Sequence, residues 1–415
     1  MKKRLLLLIT TILLGAESNA QLTDIWDSVG KGVNGNGYCV KALALNDTNG
    51  SIIYAGGSFF TAGGKVSNNI AKWTGSGCQT CGNNNGIWSP IAKGVNKEVT
   101  ALTMYKHKLV AGGAFDSAGG IGANYIASYD TVHSWDSLSS GLNGQVYALA
   151  AYDSVLYVGG SFTNAGGKTV NKIAEWIING WQPIAGFDSG TVYCLAMYKD
   201  TLYAGGSFTS SGGNPVNYIA KWNGVVWLPV GGGMNNTVYT LTVFQNSLYA
   251  GGAFTNAGGV SANYVAQWGG SSWFSLGSGT NDTVRTMVNS GFTYGVIEKQ
   301  NAGNFAQTAL VVGGSFTMAG IKSAPYIALY FPNGAGGQYN PGWNTIAGLT
   351  KPVYAITSNQ ANNYVGGLFD SITSGYWTNA GQVNYIAQFT FMVGGSINEL
   401  YNNSNVSVFL ILRMV

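Results

Sequence analysis

Charge is scarce in this chain. Asp, Glu, Lys and Arg together make up 9% of its 415 residues, against about a quarter in an average soluble protein. Arginine stands only at positions 4, 285 and 413, and histidine only at 107 and 133. That scarcity excludes a basic surface for nucleic acid or anionic lipid. Helical periodicity is missing as well, and no stretch beyond the N-terminus approaches the ~20 apolar residues that a membrane helix needs. No calcium-loop, nucleophile-elbow or HExxH pattern occurs, so no metal and no cofactor is expected. The four cysteines fit a disulfide framework poorly. Cys39 and Cys194 fall in equivalent strands of the first and fourth repeats, and Cys78 and Cys81 form one CxxC. A lone CxxC reads as a local disulfide or as inert thiols sooner than as a zinc site.

The first residues have the make-up of an export signal. Lys2, Lys3 and Arg4 precede the apolar run 5–14, and Ser18-Asn19-Ala20 offers a small-residue cleavage site before Gln21. Cleavage there removes three basic residues and Glu17, leaving 17 Lys+Arg against 15 Asp+Glu and a net charge of +2. The polar surface of the mature chain is then carried by Asn, Ser, Thr and Gly.

What the chain has in abundance is glycine, 62 residues, and much of it lies in one recurring pattern. A Gly-Gly pair opens at Gly56, Gly112, Gly159, Gly205, Gly251, Gly313 and Gly366. A phenylalanine follows each pair, at Phe59, Phe115, Phe162, Phe208, Phe254, Phe316 and Phe369. The intervals are 56, 47, 46, 46, 62 and 53 residues. Self-similarity at this period implies one kind of unit repeated, not a string of unrelated domains.

The copy at 191–233 shows the unit most clearly, as four β-like stretches: TVYCLAMY, TLYAGGSF, NYIAKW and VWLPVGG. Short turns such as Lys199-Asp200 force antiparallel hairpins. Four consecutive antiparallel strands make one propeller blade. The first strand reads as apolar on both faces, which suits blades stacked face to face. The glycine pairs read as places where a neighbouring aromatic approaches. Trp-led fourth strands begin at Trp26, Trp88, Trp135, Trp181, Trp227, Trp273 and Trp343. The first of these precedes any first strand, and the last third strand, 384–389, has no Trp-led strand after it. The N-terminal strand can therefore complete the final blade and remove the exposed edges. The expected fold is all-β: a seven-bladed β-propeller of four-stranded antiparallel blades over 21–392, its ring closed by the N-terminal strand. Residues 1–20 are the signal peptide, and 393–415 a linker and remnant of a further domain.

Gly-Gly at the end of the second strand, Trp222 or Tyr129 in the third, and Trp227 or Trp135 about five residues later together resemble the kelch-type propeller repeat, over roughly residues 25–390. The FTxAGG loop departs from the usual kelch pattern. The resemblance implies a binding scaffold or, as in the galactose-oxidase family, an enzyme. Two histidines in predicted turns are too few for a copper-radical site. Two mature arginines are too few for the carboxylate clamp of a sialidase-like propeller. Asp116 and Asp370, at one loop position in different repeats, are the acids left for hydrolysis or elimination.

Candidate binding residues fall in three places. Trp377, beside Tyr376, is the one tryptophan outside the repeated positions. In its expanded loop it stacks on a sugar or anchors a protein, or the loop folds both aromatics inward. A G-x-N turn precedes the first strands at Asn34, Asn96, Asn143, Asn235 and Asn281, with Asp188 and Thr350 in the other two copies. Asn suits a turn; a ring of ligand-binding amides on the FTxAGG face is the other reading. Insertions at 74–87, 291–307 and 331–342 lengthen connections on the opposite face, in the blades that flank the seventh.

Two further features bear on export. Ten of eleven mature aspartates precede Ser or Thr, and eight of these continue with Ala, Val, Leu or Ile. This is similar to the acceptor tripeptide for O-glycosylation of exported Bacteroidota proteins, although Asp-Ser and Asp-Thr also make good turns. INELYNNSNVSVF at 397–409 is similar to the opening of the C-terminal sorting domain of type IX secretion, which normally continues into Pro-Asn-Pro and a small β-sandwich. Only six residues follow Phe409. The resemblance implies a truncated reading frame, with the intact relative delivered to the surface and this chain held in the periplasm.

These features lead to the expectation of a monomeric, secreted or cell-surface binding scaffold or adhesin without enzymatic activity, with an extracellular protein or glycan as partner. A carbohydrate-binding lectin is the second reading. A hydrolase or lyase with an unrecognised carboxylate site is the third.

Overall fold

The computed structural model describes residues 22–35, 39–46, 52–75, 86–290, 308–332, 342–346, 348–359, 362–372, 376–377 and 384–393. Residues 1–21, where an export signal is expected, Cys78, Cys81, most of the three insertions and the tail lie outside them. Among the described residues there is no helix. The fold is a repeat-based, all-β, propeller-like assembly of antiparallel sheets.

Six sheets have four strands each. In the fourth of them Val192–Tyr198, Thr201–Gly206, Ile219–Trp222 and Trp227–Pro229 lie side by side in chain order. Lys199 and Asp200 join the first two with φ of +49° and +57°, the doubly left-handed turn that matches strand twist. The FTxAGG segment folds into a hairpin of its own, Ser210–Ser211 against Asn214–Pro215. Gly212 and Gly213 turn it at φ of +55° and +78°, which explains the second Gly-Gly that the first five repeats carry.

The sheets stack through hydrophobic clusters. The phenylalanine after each glycine pair is at most 1% exposed, so it anchors its loop in the core. Third and fourth strands carry facing aromatics, such as Trp222 and Trp227 with ring centroids 5.4 Å apart, a favourable cross-strand pair. The Trp227 indole N–H also donates to the Ala185 carbonyl of the preceding sheet at 2.6 Å. Equivalent bonds run from Trp88, Trp135, Trp181, Trp273 and Trp343.

Two details differ from the sequence reading. A Cβ on Gly205 would stand 2.6 Å from Val238 of the next sheet's first strand, and one on Gly206 would strike the Thr191 carbonyl of its own sheet. The groups that first demand glycine are thus a valine and a backbone oxygen; an aromatic, the Phe208 ring 2.9 Å from a Cβ on Gly206, comes after them. The first strand, moreover, does not alternate simply. A β-bulge between Val192 and Cys194 sends Val192, Leu195 and Met197 to one inter-sheet cluster and Cys194 and Ala196 to the other. Tyr193 is left over, because a bulge adds one unpaired residue.

The last sheet is assembled from both ends of the chain. Its strand order is Val353–Ser358, Asn363–Gly367, Ile386–Val393, Leu22–Ser28 and Tyr376–Trp377. Leu22–Ser28 runs antiparallel to Ile386–Val393 with Trp26 opposite Phe389. Contacts seen between successive sheets recur between this sheet and the first. Gly366 faces Val40 as Gly205 faces Val238. The Val33 N–H donates to the Asn384 carbonyl at 3.1 Å, as the Met234 N–H does to Asn217 at 3.0 Å. Val353–Ser358 packs against Cys39–Leu45 as other neighbouring first strands do.

Candidate functional site

The leftover residue of each bulge is the basis of the site. The same register shift occurs in all seven first strands, between a Val and an Ala, Cys or Thr two residues on. The residues between are Lys41, Thr100, Tyr147, Tyr193, Tyr239, Arg285 and Tyr354. All are half-buried. They occupy one tier, a collar, in which the side chains of Tyr147, Tyr193, Tyr239, Arg285 and Tyr354 meet from sheet to sheet.

Tyr147 and Tyr193 meet edge to face with centroids 5.2 Å apart, and Tyr193 and Tyr239 follow at 5.3 Å. The Arg285 guanidinium lies over Tyr239 at 5.6 Å and over Tyr354 at 5.2 Å, in cation–π contact with both. Its Nε donates to the Ser315 hydroxyl at 3.0 Å. Lys41 pairs with Glu98 of the neighbouring sheet at 2.7 Å, and the Ser58 hydroxyl also donates to Glu98 at 3.1 Å. Burial opposes the charge on Lys41, but the hydrogen bond and charge of Glu98 outweigh it and raise its pKa. The Tyr147 phenol is pushed up by burial and by neighbouring Tyr193 and Glu98, so it stays protonated and donates to Gln145 at 3.0 Å. The Thr100 hydroxyl donates to the Val146 carbonyl.

Beside the collar lies an open cavity of about 210 Å³, lined by Lys41, Thr100, Tyr147, Tyr193 and Tyr354 and by the residues that follow them in the first strands. Arg285 and Tyr239, the other members of the tier, are not among its lining residues; Arg285 adjoins it through its contact with Tyr354, which is. Each first strand is the edge of its sheet, so its outward N–H and C=O groups also face the cavity. The arrangement offers aromatic faces, one paired and one open cation, and a polar backbone wall.

The residues singled out from sequence lie elsewhere. The Asn143 side-chain oxygen accepts from the N–H groups of Thr163 and Asn164, both at 2.8 Å, and its amide donates to the Thr163 hydroxyl at 2.9 Å. Asn235 and Asn281 hold Thr255–Asn256 and Thr317–Met318 in the same way. Asn96 holds Asp116 and Ser117. Asp188 accepts from Gly212, Gly213 and Ser210, and those bonds, led by Ser210, keep its carboxyl below the usual range. Asn34 pairs with Thr61 through its backbone. All five asparagines are exposed, and four of the five side chains bolt an FTxAGG hairpin to the turn before its own first strand.

Tyr376 and Trp377 form a short outermost strand, parallel to Ile25 and Trp26. Asp116 and Asp370 are each tied to a lysine of their own sheet, Lys97 at 2.6 Å and Lys351 at 3.0 Å. Both carboxyls are held below the usual range by those lysines first. His107 stands in a hairpin turn with φ +63°, and His133 lies in a turn capped by the Asp130 carboxylate, which accepts from the His133 backbone N–H. Neither aspartate and neither histidine lines the cavity. The members of the collar vary at a fixed place in the repeat, so sameness between repeats does not mark them. That place, X in Val-X-Ala/Cys/Thr, was the available signal.

No known protein family matches the chain, and no curated protein is similar to it. Among solved structures, the computationally designed Ika8 protein is similar over 87% of this chain and 98% of its own, with 14% identity and a TM-score of 0.43. The WD40 beta propeller domain of Doa1 is similar over 89% of this chain and 97% of its own, with 10% identity and a TM-score of 0.36.

Proposed function

We propose that the chain is an exported, non-enzymatic binding scaffold built on a closed, seven-bladed, kelch-like propeller. The closure rests on the recurrence, between the last sheet and the first, of the Gly–Val contact and the inter-sheet hydrogen bond. Export rests on Lys2–Arg4, the apolar run and the Ser-Asn-Ala site, with support from the sorting-domain likeness at 397–409. O-glycosylation of the Asp-Ser and Asp-Thr tripeptides accords with the same route.

One observation carries the scaffold reading: polar side chains on the loop face are committed to holding the frame. The Asn and Asp clamps hold loops, and the candidate acids hold lysines. An ionised, lysine-paired carboxylate is poorly suited to donate a proton at neutral pH. The partner is an extracellular protein or glycan. Tyr376 and Trp377, on the closing sheet, and the asparagine row remain the peripheral contact points proposed for it. A lectin is the second reading, favoured by the tyrosine collar, since aromatic faces receive the C–H faces of sugars.

The test is to probe the mature chain against glycan and extracellular-protein arrays alongside a hydrolase and lyase activity panel. Saturable binding without turnover is expected. Turnover that Glu98→Gln or Asp370→Asn abolishes would overturn the non-enzymatic reading.

A further inference from the structure

Of the two cations in the collar, one is neutralised and one is open. Lys41 is paired with Glu98. Arg285, by contrast, has no carboxylate within ion-pair distance among the described residues. Cation–π contacts with Tyr239 and Tyr354 and the Ser315 bond hold it in place. A planar guanidinium held in this way matches a carboxylate in two-point geometry, which an ammonium does not. Being half-buried, it is also screened less by salt than a surface charge.

The surroundings narrow the ligand further. Tyrosine faces suit a ring with C–H groups, and the edge backbone groups of the first strands suit hydroxyls. The cavity of about 210 Å³ has room for roughly seven waters at about 30 Å³ each, the scale of a single sugar ring. We infer that the collar binds a carboxylate-bearing sugar unit, a hexuronate, with Arg285 holding the carboxylate at the cavity's edge and the tyrosines receiving the ring. This assignment rests on the binding-scaffold reading and specifies its ligand.

The experiment is titration of the mature, full-length chain with glucuronate and galacturonate, followed by calorimetry and saturation-transfer NMR. Glucose, galactose and acetate serve as probes that each lack one half of the chemistry. At least one uronate is expected to saturate in the millimolar range or below, with the neutral sugars and acetate at least tenfold weaker. Arg285→Gln should weaken uronate binding at least tenfold, and Arg285→Lys, which keeps the charge and much of the packing, by less. Unchanged thermal melting would show both variants folded; should Arg285→Gln melt early, the Arg285→Lys titration decides. Neutral sugars binding as tightly as uronates would overturn the assignment, as would no uronate binding or none of the loss in the arginine variants. Acetate binding as tightly as uronate would overturn the sugar part and leave a site for free carboxylates. If Arg285→Gln keeps full array binding, the collar is wrong but the scaffold stands; silence of the wild-type chain on every array contradicts the scaffold itself.

Discussion

The fourth sheet and the closing sheet perform the same packing with different means. The fourth is one continuous meander, 192 to 229, with every turn local. The closing sheet joins residue 22 to residue 393, so its pairing forms only when the rest of the assembly has brought the two ends together, at a loop-closure entropy that local hairpins escape. Its interior is also poorer. Leu202 is almost fully buried in the fourth sheet, and Ile53, Leu109, Leu156, Leu248 and Leu310 repeat it. In the closing sheet the residue at that place is Asn363, fully buried, with neither polar atom of its amide partnered among the described residues. The clamp differs too: Asp188 accepts three bonds from its hairpin, whereas Thr350 donates its single hydroxyl toward Asp370 and Ser371. The comparison teaches that a repeat protein concentrates its weak points where its ends meet.

Three variants test the contrast. Deleting 22–28 should have the largest effect, because it removes the partner of Ile386–Val393 and bares an edge. Thermal melting should fall and broaden, and the chain should self-associate; a melt as sharp and as high as wild type would contradict the pairing. Asn363→Leu comes next. Replacing an unpartnered buried amide by the hydrocarbon of the other repeats should stabilise the fold by about 1–3 kcal/mol, read by chemical denaturation. Destabilisation would mean that the amide has a role the repeat logic misses. Thr350→Asn should give the smallest change, a gain of about 0.5–1 kcal/mol from restoring the loop clamp. A loss there would show that the closing loop is shaped differently from its relatives.

Much of the architecture was legible in the sequence because each feature was written seven times. The phenylalanine anchors, the tryptophan-led strands and the split of the closing sheet between Trp26 and 384–389 all follow from spacing. The collar was not legible, and the reason is geometric. Simple alternation assigns Tyr193 to a packed face, but one extra residue per bulge releases it toward the cavity, and hydrogen-bond register is invisible in a string of letters. The glycine pairs mark close approaches, but the side chain nearest Gly205, Val238, lies a sheet away. The asparagine turns were equally visible, but only the structure shows their amides bonded to the hairpins 20 residues on. Asn363 looked unremarkable alone; it is conspicuous only in register with Leu202.

The account depends most on closure of the ring by the N-terminal strand. Hydrogen–deuterium exchange, followed by mass spectrometry on peptides covering 22–28, 386–393 and 201–206, tests it directly. If Leu22–Ser28 is paired as a ladder strand, its amides exchange slowly and in step with those of 386–393, and only somewhat faster than those of the fourth sheet. Exchange of 22–28 at the rate of an unstructured peptide, with 386–393 protected on one side alone, would contradict it.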